Sequence, residues 1–356
     1  MERDCRLDAC RCVMNYMIVL LHAWAGFQYV ANTGVEFVTW TVVCSYLSAL
    51  SVPTFFIISG YLLFTNFNLD TYPSKLKRRV RRLVVPYLGW NILFVMVYLI
   101  LGRIVPRLGM RVNSFGLNSI SGAVSKVISI TVSPIDGPLW FIRAIFLLAC
   151  FSPMMWMIMR RCRGGFIVSL CAVCCFAGPF TGELNPLRTA IPDYALGSFV
   201  VGGVIACKGL DPVIVFHKWK WFVIGLACCL IRAIVMISCK QCGINVPVGV
   251  EGVFSALRLL EGAVLLCLVS HIDCGFVKTK VFRFLHEMSF FAYAGHFLFC
   301  SIYLHSVAPF LGGSWPGKFT VLIVVFVGCG VLTMACVYRI GRKWFPNVIR
   351  IFDGTL

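Results

Sequence analysis

The sequence predicts an all-α, polytopic membrane protein of about ten transmembrane helices, with both termini in the cytoplasm. Three observations predict it. The 356 residues are 60% hydrophobic and only 13% charged, whereas a soluble domain is about half apolar and about a quarter charged. Ten apolar runs follow one another, at roughly 12–31, 41–65, 83–101, 138–159, 164–181, 193–207, 219–238, 252–270, 284–305 and 319–338. The positive charges then alternate between the loops. With the N-terminus inside, the cytoplasmic side collects 22 of the 32 Lys and Arg, the outer side 7, and Arg143, Arg232 and Arg258 fall within runs. That bias is the positive-inside pattern. It accounts for most of the net charge of +18 without a nucleic-acid partner. The loops leave no room for a second folded unit, so residues 1–356 read as a single membrane-embedded domain.

The opening MERDCRLDACR carries both signs of charge, and the apolar run after it is too long for a leader, so none is expected. Within that first run, Arg11 and His22 stand out. At about 100° per residue, eleven steps bring His22 to within about 20° of the face of Arg11, roughly 16 Å further along. Arg11 then sits at the membrane edge and His22 near mid-depth. A titratable group at that depth marks a functional site facing a cavity or the protein interior, or else a ring that hydrogen-bonds a neighbouring helix.

The second run ends SVPTFFIISGYLLF, where Pro53 predicts a kink and Ser59-Gly60 a small surface for a close helix crossing. Before the third run comes KLKRRVRRLVVPYLGW, the densest charge run of the chain. It contacts anionic lipid head groups, and its guanidinium groups also suit a polyanionic cytosolic substrate, because they bind phosphate bidentately. Residues 102–137 form the longest outer loop, with a weakly amphipathic piece around Leu117 to Val132 expected on the membrane surface. It ends PIDGPLWFI, placing Asp136 and Trp140 at the outer interface. Trp140 reads as part of the aromatic belt or as a stacking surface for a sugar ring. Arg143 is close enough to the outer surface to snorkel.

Arg232 in the seventh run has no assigned partner. In the eighth, Arg258 and Glu261 are one turn apart and are expected to pair. The ninth run brings His296 to the depth of His22, with His286 and Glu287 at the cytoplasmic edge. His217, His271 and His305 lie near run ends, where water satisfies them. Most of the 19 cysteines lie in apolar runs as small hydrophobes, while Cys239 and Cys242 form a CxxC that can pair. No metal site is expected.

Taken in order, Arg11 and His22, Pro53–Phe55-Phe56–Ser59-Gly60, the basic run ending Arg82–Pro86-Tyr87, Leu139-Trp140-Phe141 and Ser289-Phe290–Tyr293–His296 resemble acyltransferase family 3, integral membrane proteins that O-acylate cell-surface glycans and related acceptors. The resemblance runs from about residue 6 to 300. It implies an acyl-CoA donor, usually acetyl-CoA, presented from the cytoplasm, and an acceptor hydroxyl on the outer side of a bacterial cytoplasmic membrane. The family's essential Arg and His fall on Arg11 and His22. One departure stands out: many members carry a glutamate in the fourth span, where this chain has Trp140-Phe141-Ile142-Arg143.

On these residues, His22 is the expected general base, with His296 orienting the acceptor or sharing the proton. Arg11 with Arg78, Arg79, Arg81 and Arg82 is expected to hold the donor's phosphates, and Ser59, Trp140 and Tyr293 to meet the substrates. The expected partners are an acyl-CoA donor, a glycan or lipid-linked sugar, membrane lipids and polysaccharide-biosynthesis proteins. The competing classes are a transporter or flippase of glycan or acyl precursors, and a membrane-embedded sensory module.

Overall fold

The computed structural model describes residues 5–27, 34–104, 116–129, 133–181, 190–306 and 317–355. Arg107, Arg111, Arg188 and the side chain of His305 lie outside the described residues. Among those described, every regular element is helical. In chain order these are α1 (Cys5–Phe27), α2 (Val35–Phe64), α3 (Tyr72–Leu101), α4 (Ile120–Ile128), α5 (Gly137–Cys150), α6 (Ser152–Arg161), α7 (Gly164–Thr181) and α8 (Asp193–Cys207). The short α9 (Pro212–Val215) precedes α10 (Trp219–Gln241) and α11 (Val248–Ser270). After the single turn α12 (Cys274–Val277) come α13 (Lys280–Ser306), α14 (Lys318–Trp344) and α15 (Pro346–Asp353).

Helices stand at all ten apolar runs, but not all ten qualify alone as spans. Six described helices, α2, α3, α7, α10, α11 and α14, are long and apolar enough to cross a membrane, or seven if the bent pair α5–α6 is one span. The chain is a multi-pass membrane protein. The shortfall has local causes. At α8's 15 residues, about 1.5 Å per residue gives a rod short of the roughly 30 Å hydrocarbon core. α5 and α6 meet at 61°, just before Pro153, and the freed carbonyl of Ala149 accepts from the Ser152 hydroxyl at 2.7 Å.

Before Pro53, where a kink is expected, the helix departs from regular α-winding. Thr41–Leu47 is wound as π-helix and Ser48–Leu50 as 3₁₀-helix, and ordinary α-helix resumes at Ser51. Proline offers no N–H to the carbonyl four residues back and its ring crowds that turn. In the same turns the serine hydroxyls find acceptors within the helix, as hydrocarbon requires: Ser48 Oγ donates to Val43 O at 3.1 Å and Ser51 Oγ to Ser48 O at 2.6 Å.

α2 and α8 cross in close contact. A Cβ on Gly60 would lie 2.0 Å from the Phe199 carbonyl oxygen, and one on Gly202 would lie 1.9 Å from that of Ile57. Reciprocal glycines let the two backbones touch, which is how helices gain contact where lipid removes the hydrophobic drive. Around this crossing pack α7, α10 and α11, while α1, α13 and α14 form the other side of the bundle. The C-terminal helix α15 tucks back onto α3, where Trp90 Nε1 donates to Phe352 O at 2.9 Å.

Two cysteines far apart in sequence, Cys5 and Cys274, are joined as a disulfide with Cα atoms 6.1 Å apart, tying the start of α1 to α12. Cys239 and Cys242 remain free. Because Gly60 has backbone on its far side rather than a yielding side chain, Gly60→Val should lower stability by about 1–3 kcal/mol, the usual range for overpacking. A fall in melting temperature of the detergent-solubilised protein checks it.

Candidate active site

α1 and α13 run in the same direction, and polar pairs hold them in register. Asn15 Nδ2 donates to Ser289 Oγ at 3.0 Å, and Tyr16 OH to Leu285 O at 2.9 Å. Seven residues is close to two helical turns, so seven steps on from Asn15 and from Ser289 the chains present His22 and His296 to each other. Their ring centroids are 5.2 Å apart, tilted by 58°. The edge of Phe297 closes one side of His22 at 6.0 Å.

Each imidazole is anchored by its own helix. His22 Nδ1 lies 2.9 Å from Ile18 O, and His296 Nδ1 bonds Tyr293 O. A carbonyl oxygen only accepts, so Nδ1 carries the hydrogen on both rings and the neutral lone pair sits on Nε2. His296 is buried, and its Nε2 has no hydrogen-bond partner among the described residues. His22 is half-buried.

Against the turns of α13 that carry His296 lies the segment Ile135–Leu139. Tyr293 OH donates to Pro138 O at 2.6 Å, and the Phe297 ring packs on Gly137. Asn91, buried in α3, takes the Asp136 backbone N–H at 3.2 Å while donating to Tyr87 O at 2.8 Å. Asp136 is 0% exposed, and neither of its carboxylate oxygens has a hydrogen-bond partner among the described residues. An uncompensated buried carboxylate is costly, and buried polar atoms without partners cluster where chemistry needs them. Sequence reasoning missed this residue as a site candidate. The available signal was the position of an acid directly before Leu139-Trp140-Phe141, once the fourth span was seen to contain none.

At the other end of α1, Arg11 lies 3.9 Å from Asp8, whose same oxygen lies 4.0 Å from His286 Nε2. Arg11 and Arg79 are close enough to act on each other electrostatically, and Arg79 and Arg78 likewise act on Lys75. The fold thus gathers the first helix's arginine and the basic run. Arg78 and Arg79 end the first α-helical part of α3, and Arg81 and Arg82 lie in the π-helical turns that follow. Arg78, Arg81 and Arg82 are exposed and Arg79 half-buried.

The remaining expected residues stand apart from these two groups. Ser59 is half-buried beside the Gly60 crossing. Trp140 packs on Phe56 and Phe141, with centroids 6.1 and 6.2 Å away. Arg143 is buried rather than snorkelling: its Nη1 donates to Ser129 O, and the Ser129 hydroxyl bonds Tyr87 OH. That holds the amphipathic helix α4, which covers Ile120–Ile128 of the predicted surface piece, against the bundle.

A family model described as an acyltransferase domain, Acyl_transf_3, matches residues 6–339. The chain belongs to acyltransferase family 3. No curated protein and no solved structure matches it. Membership makes the protein a membrane acyltransferase and leaves the transporter reading without support.

The acyltransferase corrects one expected ion pair. Glu261 binds Arg232 of the neighbouring α10, with Nε at 2.8 Å from Oε1 and Nη2 at 2.9 Å from Oε2, and not Arg258. A guanidinium from the facing helix meets the carboxylate edge to edge, a bidentate geometry that a residue one turn away on the same helix does not reach. Arg258 lies instead over Tyr194, 4.2 Å from the ring centroid, and Arg232 also lies over Tyr46 at 5.0 Å. Glu261→Ala, which strands Arg232, should therefore cost about 3–5 kcal/mol, whereas replacing both residues by apolar ones of similar size should cost much less. Thermal unfolding of the two variants measures the difference.

Proposed function

We propose that this acyltransferase moves an acyl group, acetyl in the first instance, from cytoplasmic acyl-CoA to a hydroxyl of a cell-surface or lipid-linked glycan. The reading places ten crossings in a bacterial cytoplasmic membrane with both termini inside. The observation that carries it is the facing pair His22 and His296, each with Nδ1 bound to its own helix and Nε2 left basic.

His22 Nε2 takes the proton of the acceptor hydroxyl as its oxygen bonds to the acyl carbon. The carbon–sulfur bond of the thioester breaks, and the proton passes to the departing thiolate. His296 holds the acceptor or shares that proton. We assign to the carboxyl of Asp136, on the segment that Tyr293 holds through Pro138 O, the part of the glutamate many family members carry in the fourth span. Fixed donors and charges in a water-poor site act more strongly than in water. Arg11 and Arg79, with their neighbours in the basic run, hold the donor's phosphates. The pantetheine arm, roughly as long as the 16 Å rise from Arg11 to His22, spans the gap.

Labelled acetyl-CoA with purified protein in nanodiscs tests the reaction. His22→Ala should lose about 10²–10⁴-fold in turnover, the usual contribution of a general base, while remaining folded. Asp136→Asn should lower kcat with little change in donor KM. Arg11→Gln or Arg79→Gln should instead raise the donor KM by about tenfold or more, since a hydrogen bond to a charged group contributes about 1.5–3 kcal/mol. Full turnover in His22→Ala would remove the base from the mechanism.

A further inference from the structure

A second cationic site lies away from the donor cluster. A cavity of about 540 Å³ opens between the end of α6, the start of α7 and the end of α8, lined among others by Arg160, Arg163, Gly164, Cys207 and Lys208. Its lining contains three cations and no acid. None of the three forms an ion pair among the described residues, and Arg160 is steadied only by stacking on Trp156, 4.8 Å from the ring centroid.

Lys208 is laid directly on the first residue of α7. A Cβ at Gly164 would fall 2.7 Å from Lys208 Cε and 2.9 Å from Nζ, so glycine is what leaves the ammonium its seat. The first amides of α7 have no intrahelical acceptor, and that end of the helix carries partial positive charge. Arg163 immediately precedes it. Cations gathered at a helix N-terminus repel it as well as each other, and an anion in the cavity would relieve both.

We propose that this cavity binds a phosphate group, carried either by a lipid headgroup or by a soluble phosphate compound. Guanidinium supplies the paired donors that phosphate oxygens accept, and the cavity exceeds what a lone phosphate fills. The residues involved lie at the end of α6, in the link to α7, at the start of α7 and at the end of α8, apart from the donor cluster and the histidine pair. On the proposed topology the site faces the cytoplasmic leaflet.

Cys207 lines the cavity and is exposed, so its alkylation rate reports occupancy locally. The full-length protein is reconstituted in zwitterionic nanodiscs, and alkylation of Cys207 is followed by mass spectrometry with exposed Cys242 as internal reference. One arm adds phosphatidic acid to the disc; the other adds pyrophosphate at matched ionic strength. In at least one arm Cys207 should be protected about fivefold or more at saturating ligand, by mass action, while Cys242 is unchanged. Protection in the first arm alone assigns a lipid, and in the second a soluble phosphate compound. The R160Q/R163Q/K208Q variant should lose protection, and R160K/R163K/K208R should keep most of it. No protection in either arm, or equal protection in the neutral variant, overturns the proposal, whatever the outcome of the acetyl-CoA assay.

Discussion

The parallel packing of α1 on α13, pinned by Asn15 to Ser289 and by Tyr16 to the Leu285 carbonyl, is the constraint on which the site rests. Because the two helices rise together, a fixed offset at one depth is preserved two turns later, and the imidazoles of His22 and His296 meet at 5.2 Å. Antiparallel helices would carry the same residues apart. Each ring spends its Nδ1–H on its own backbone, so the nitrogens left for chemistry are basic on both sides.

This arrangement divides the acyltransferase along the length of α1. One end gathers Arg11, Arg79 and Lys75, with α15 folded against the same region so closely that a Cβ on Gly354 would lie 2.9 Å from the Arg82 carbonyl oxygen. The other end is closed by the segment Ile135–Leu139, held by Asn91 and Tyr293 and carrying Asp136.

Three arginines within the spans each meet a partner from another element. Arg232 meets Glu261 across α10 and α11, Arg143 meets Ser129 at the end of α4, and Arg258 lies on Tyr194. Desolvation makes the unpaired alternatives expensive, so these contacts also fix which helices are neighbours. Asp136 differs from them: it is buried with neither carboxylate oxygen hydrogen-bonded among the described residues.

By itself the sequence determined the membrane class, the helical runs and the candidate residues of α1 and α13, because apolar length, charge asymmetry and helical periodicity are local properties written in order along the chain. The resemblance was legible for the same reason, in motifs of fixed spacing. Tertiary structure decided what depends on neighbours. It set Glu261 against Arg232 instead of Arg258, buried Arg143, joined Cys5 to Cys274 instead of Cys239 to Cys242, and buried Asp136 on a segment held by Asn91 and Tyr293. Those outcomes turn on which helix faces which, and at what angle. Periodicity along one chain cannot specify that, because every apolar face is equally content against lipid until polar groups and small residues choose a partner.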